Sequence, residues 1–129
     1  MAKKKTEGFK DLEVYTLSVD LAIEIYKTVD KLPKSENYGI RDQLTRAVNS
    51  IGANIAEGYG RYSYKEFIRF LYISRGSLME TLHFLNISLE LGYIQKEEFD
   101  KLSEKIKNLG IKLNNLISAI SKNNKNTTE

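Results

Sequence analysis

The sequence has no cysteine, only one proline (Pro33) and only one histidine (His83). Without cysteine there can be no disulfide, no thiolate metal site and no cysteine nucleophile, which suits the reducing cytoplasm. His83 has no carboxylates at ligand spacing, so neither a metal centre nor a catalytic triad is indicated. The sequence also lacks a P-loop, a glycine-rich dinucleotide turn and a zinc motif. We therefore expect a cytoplasmic protein that is not an enzyme and needs no cofactor.

Long apolar runs are also missing. None approaches the roughly 18 residues that a membrane span requires. The lysines at positions 3–5 are followed by Thr6, Glu7 and Gly8 rather than by an apolar segment, so we expect no signal peptide. The 129 residues are 41% hydrophobic and 29% charged, which is ordinary for a globular protein. We expect one domain, residues 1–129, with no membrane partner.

Positive charge is in only small excess and is unevenly distributed. The net charge is +3, made up of +3 in residues 1–10, −2 in residues 11–95 and +2 in residues 96–129. This basicity at the ends of the chain has two interpretations, a solvated surface or an attraction for nucleic acid.

The apolar residues recur at helical spacing, and the alternation typical of strands is absent. Four helices are predicted, at about 11–30, 38–57, 64–91 and 97–121, with polar tails at 1–8 and 122–129. Pro33 ends the first helix, and Ser63 with Glu66 predicts a capping box at the start of the third. The predicted fold class is all-α, an antiparallel up-and-down four-helix bundle.

The first and third predicted helices carry more apolar residues than one bundle can bury. The third is apolar almost all round, whereas the fourth has a single narrow apolar seam. Apolar surface left uncovered on a bundle is typical of a subunit interface. We therefore predict a homo-oligomer.

A polar stripe runs along the second helix beside its apolar stripe, and small polar residues of the third helix match it. It is interpreted either as a binding groove or as a structural network that fixes helix register, and we favour the network. In that interpretation Arg46 pairs with Glu57 or Glu80. The residues of the network are Gln43, Arg46, Ser50, Asn54, Glu57 and Glu80.

The start of the third helix combines basic side chains with aromatic rings. Arg61, Lys65 and Arg69 follow one another at steps of four, and several tyrosines lie nearby. Bases beside aromatic rings suit contact with phosphates together with stacking of nucleobases. The alternative is an exposed basic face whose tyrosines extend from the core.

Several of these segments resemble the family of 23S rRNA intervening-sequence proteins. The resemblance covers about residues 9–95 and is carried by segments on the first three helices and the first loop. These segments are 9–12, 32–39, 43–51, 54–58, Arg61 and 76–80.

The resemblance implies a bacterial four-helix bundle that assembles as a ring-shaped homopentamer. The fold is also similar to that of the accessory variability proteins of diversity-generating retroelements, which bind nucleic acid and a reverse transcriptase. Two functions are therefore expected: an oligomeric factor that binds RNA or DNA, or an oligomeric scaffold for a protein partner such as a reverse transcriptase.

Overall fold

A computed structural model describes residues 8–128 of the chain, with side chains through residue 123. Four helices occupy this part: α1 (Glu13–Val29), α2 (Ile40–Tyr59), α3 (Tyr64–Glu90) and α4 (Lys96–Thr128). Two short 3-10 turns, Gly8–Asp11 and Lys34–Glu36, precede α1 and α2. Residues 8–128 contain no strand, so the all-α class is confirmed. Lysines 3–5 lie outside the described residues.

The predicted end of the fourth helix is the boundary that differs most. The sequence pattern placed it at residue 121 with a polar tail beyond, but α4 continues to Thr128. No proline or glycine follows Gly110 in the sequence. Lysine, asparagine and threonine are all tolerated in helices. The polar residues after position 121 therefore end the buried apolar stripe of α4 but not the helix itself.

The helices pack in chain order around one core. α2 lies between α1 and α3, and α4 closes the bundle against α3 and α1, so that α1 and α3 lie on diagonal corners. Fully buried leucine and isoleucine side chains from all four helices fill the centre, because each helix places apolar residues three or four positions apart. They include Leu21, Ile25, Leu44, Ile51, Ile55, Leu71, Leu78, Leu85, Leu102, Ile106, Leu109 and Leu113.

Glu36 ties two loops of the bundle together at the N-terminus of α2. Its Oε1 accepts a hydrogen bond from the backbone N–H of Ile40 at 3.0 Å. Its Oε2 accepts one from the Tyr93 hydroxyl, in the α3–α4 connection, at 2.9 Å. A carboxylate at this position complements the positive end of the helix dipole. The same carboxylate raises the pKa of the Tyr93 hydroxyl.

Three acidic residues of α1 pair with three lysines of α4. Glu13 lies 3.3 Å from Lys112, Asp20 lies 2.9 Å from Lys105, and Glu24 lies 3.9 Å from Lys101. The acids rise in residue number along α1 while their lysine partners fall in residue number along α4, because the two helices are antiparallel. These lysines of the basic C-terminal region therefore already face carboxylates, which leaves less positive charge there for a polyanion.

Candidate functional site: the α2–α3 corner and the faces of the bundle

The corner between α2 and α3 is built around a close contact of the two helices. At Gly58 an added Cβ would lie only 2.7 Å from the Cβ of Phe70. A side chain there would push the helices apart, so glycine permits their approach. The chain then turns through Gly60, and the Ser63 hydroxyl caps α3 by accepting a hydrogen bond from the N–H of Glu66 at 3.1 Å.

Only half of the predicted capping box forms. The Glu66 carboxylate lies beside the Arg69 guanidinium, 3.4 Å from Nη2, instead of returning to the backbone of Ser63. An arginine one turn further along the same helix face competes for the carboxylate.

The three predicted nucleic-acid contacts, Arg61, Lys65 and Arg69, are all exposed at this corner. The guanidinium groups of Arg61 and Arg69 lie on the ring of Phe70, 4.8 and 4.7 Å from its centroid. Arg61 Nη2 also pairs with Glu57 Oε2 at 2.6 Å. The structure therefore gathers the two arginines around one ring, while an acid partly neutralises each of them.

Two tyrosines beside these bases point into solvent. Tyr62 is fully exposed and Tyr64 is 43% exposed. In contrast, Tyr59 packs its ring edge-to-face with Phe67, with a centroid distance of 6.0 Å. The corner thus offers two aromatic rings that are free to stack on a ligand, next to the cationic groups.

The predicted partners of Arg46 are wrong. Arg46 Nε bonds Asp42 Oδ2 at 2.9 Å on the surface of α2, and the Arg46 side chain is 75% exposed. A helix rises about 1.5 Å per residue, so Glu57 begins roughly 16 Å further along the axis and cannot be reached. Glu80 is exposed on α3, and within the described residues neither its side chain nor that of Gln43 forms a hydrogen bond or ion pair.

A smaller polar network does join α2 to α3. The Ser77 hydroxyl donates to the Ser50 hydroxyl at 2.9 Å, and the Asn54 amide donates to the same hydroxyl oxygen at 2.9 Å. The buried Ser74 hydroxyl donates to the carbonyl of Ile51 at 2.8 Å. Because these bonds satisfy polar groups at a helix contact, they fix the register of α2 against α3. Ser50 and Asn54 are the predicted network residues that take part.

An open groove between α1 and α2 is a feature that the sequence reasoning missed. Its volume is about 780 Å³, and a shallower extension of about 210 Å³ continues along the same two helices. The small α2 residues Gly52, Ala53 and Ala56 line only the extension, and at Gly52 an added Cβ would lie 2.7 Å from Ser18 Oγ, so the two helices are close there. In the main groove α2 faces α1 with polar residues such as Thr45 and Asn49, and apolar residues of α1 stay exposed beside them. The groove contains Val19, Ala22, Ile23, Tyr26, Val29, Arg41, Thr45 and Asn49.

The described residues contain neither a candidate metal centre nor a helix that could span a membrane. Residues 8–123 contain no group of three or more histidine or acidic side chains placed to hold a metal ion. Likewise, no helix within residues 8–128 combines the length and apolar character needed to span a membrane.

Comparison with known proteins identifies relatives of this architecture. No protein among those with curated functions matches the chain. A solved structure from Bacteroides thetaiotaomicron VPI-5482, of a protein of unknown function from the S23 ribosomal protein family, matches with a TM-score of 0.72 and 26% identity. The match covers 81% of this chain and 97% of that one. The family described as 23S rRNA-intervening sequence protein matches residues 10–115, most of the bundle. The chain belongs to this family.

Proposed function

We propose that the chain is a non-enzymatic, cytoplasmic subunit of a homopentamer whose α2–α3 corner contacts the backbone of RNA or DNA. The observation that carries the nucleic-acid role is the grouping of Arg61, Lys65 and Arg69 with the exposed rings of Tyr62 and Tyr64. Arginine and lysine side chains contact phosphates, and exposed aromatic rings stack on unpaired nucleobases.

The ion pairs at the corner do not prevent such contact. The Arg61–Glu57 pair is 44% and 53% exposed and the Arg69–Glu66 pair is 58% and 42% exposed. Exposed pairs contribute only about 0–1 kcal/mol, so a phosphate can displace the carboxylate. The net charge of one corner is nevertheless small, and five copies around a ring would supply the avidity that one copy lacks.

The pairing of these basic side chains with carboxylates favours a second function. The chain would then be an oligomeric scaffold for a protein partner such as a reverse transcriptase. Arg61 and Arg69 each face a carboxylate, and three lysines of α4 pair with α1. In that case the exposed side chains of the corner would contact a protein, and the ring would have no affinity of its own for nucleic acid.

The test compares two triple variants that lose the same charge. One carries Arg61→Gln, Lys65→Gln and Arg69→Gln. The other carries Lys34→Gln, Lys96→Gln and Lys107→Gln, at exposed lysines away from the corner. Binding of single-stranded RNA and DNA is measured by fluorescence anisotropy at two salt concentrations, after light scattering has shown that both variants keep the assembly of the parent.

We expect tight binding at low salt by the parent and by the control variant, and weak binding by the corner variant. Each lost phosphate contact should reduce the slope of log affinity against log salt by about 0.7–0.9. Equal losses in both variants would show that net charge, not the corner, attracts the strand. Absence of binding by the parent at low salt would contradict the nucleic-acid role and favour the scaffold.

A further inference from the structure

Two separate apolar faces remain exposed on the bundle, one between α1 and α2 and one on α3. The first is the concave α1–α2 groove, with Val19, Ile23 and Tyr26 on its α1 wall. The second, here called the α3 ridge, is a convex face in the middle of α3 formed by Tyr72, Ile73, Gly76 and Met79. Exposed apolar patches on a small protein are typical of interaction surfaces.

The shapes of the two faces are complementary. The groove is open to solvent between two helices, and its apolar α1 wall faces polar residues of α2 such as Thr45 and Asn49. At the centre of the α3 ridge, a Cβ added to Gly76 would meet nothing within 4 Å, so a neighbouring backbone can approach closely there. A single helix entering a groove between two others is a common recognition mode. Two grooves, or two ridges, would not fit each other in this way.

Charge specifies the direction of this contact. Lys27 directly follows Tyr26 at one end of the α1 wall, and Glu80 directly follows Met79 at the corresponding end of the α3 ridge. Within the described residues neither Lys27 nor Glu80 forms an ion pair. When the ridge of one copy lies parallel to α1 of another, these opposite charges come to the same end. Antiparallel docking would separate them.

We infer that the α3 ridge of one copy docks into the α1–α2 groove of the next, parallel to α1, with Glu80 near Lys27 of the neighbouring copy. The inference rests on the proposed homo-oligomer and assigns its interface. Because the two faces differ, the contact is heterologous, and repeating it gives a ring when the rotation between copies closes and an open filament when it does not.

The test uses one substitution in each face and one matched control. Ile23→Glu places a charge in the groove, and Met79→Glu places one on the ridge. Ile111→Glu places the same charge on α4, at an isoleucine that is 50% exposed compared with 53% for Ile23. Circular dichroism establishes that each variant is folded, and sedimentation velocity measures its mass.

We expect Ile111→Glu to assemble like the parent, and Ile23→Glu and Met79→Glu each to sediment as a 14.8 kDa monomer. An equimolar mixture of the two monomeric variants should form a dimer and nothing larger. The intact ridge of the Ile23→Glu copy fits the intact groove of the Met79→Glu copy. The groove of the first copy and the ridge of the second both carry the introduced charge, so no third copy can add. This dimer distinguishes a heterologous contact from an isologous one.

A charge swap tests the direction. Lys27→Glu and Glu80→Lys should each weaken assembly about two- to fivefold, the range for exposed ion pairs, and the double variant should regain most of that loss. Full assembly of the Ile23→Glu variant, a mixture that stays monomeric, or a double variant weaker than either single one would overturn the inference while leaving an oligomer in place. A monomeric parent would instead contradict the proposed oligomer itself.

Discussion

Replacing Gly58 by alanine is the most direct test of how α2 and α3 meet. The added Cβ would lie 2.7 Å from the Cβ of Phe70, 3.0 Å from Cδ1 of Phe67 and 3.3 Å from the carbonyl oxygen of Phe67. Carbon atoms pack best at about 3.5–4.0 Å. Two of these neighbours lie at or next to the backbone of α3, so a rotamer change of one side chain cannot relieve the contact.

Two effects oppose each other in this variant. Alanine favours the helix over glycine by about 1 kcal/mol, whereas inserting a methyl group into a packed contact costs about 1–3 kcal/mol. Gly110→Ala separates the two effects, since its Cβ would lie at an ordinary 3.5 Å from Cδ2 of Leu78. We expect Gly110→Ala to stabilise the protein by about 0.5–1 kcal/mol and Gly58→Ala, where the packing cost offsets that gain, to destabilise it by up to about 2 kcal/mol.

Urea unfolding followed by circular dichroism measures both variants. The protein concentration is held equal throughout, because assembly contributes to apparent stability. The dependence of the unfolding free energy on urea should be unchanged, so that shifts in the midpoint report stability. If Gly58→Ala proved as stable as Gly110→Ala, the close contact at the α2–α3 corner would not constrain the fold and the reasoning would be refuted.

Two further predictions concern charged side chains. Arg46→Ala removes an exposed pair with Asp42 and should reduce the unfolding free energy by only about 0.3–0.5 kcal/mol in urea; a loss of about 3–5 kcal/mol would indicate a buried partner instead. Burial acts to raise the pKa of Glu98, but hydrogen bonds from Thr28 and Lys31 outweigh it and hold the pKa below its ordinary 4.5. The stability from this carboxylate is present above pH 4.5 and is lost as pH falls through the lower folded pKa, so Glu98→Gln should weaken the acid dependence of unfolding.

Helix positions and the core followed from local patterns, because they depend on residues close together in sequence. Pro33 and Ser63 marked helix boundaries near those observed, and the seam of α4 placed Leu102, Ile106 and Leu109 in the core. The pairing of Arg46 was predicted from residues that share one face of α2, but sharing a face is not enough, because the rise along the helix axis also decides which side chains can meet. The rise of the helix excludes Glu57, and the nearer Asp42 takes its place.

The exposed faces show most clearly what the sequence leaves undetermined. The excess of apolar residues on the first and third helices could be counted in advance, but every helix of a bundle leaves one side to solvent. Which residues lie on that side depends on how α2 sits between its neighbours. On the side facing α1, the polar residues Thr45 and Asn49 line the groove, whereas on the side facing α3 the Ser50 hydroxyl accepts a hydrogen bond from Ser77 across the helix contact. The positions of the groove and the α3 ridge therefore depend on how the helices pack, and the exposed side chains of both, such as Ile23 and Met79, remain accessible to a neighbouring copy.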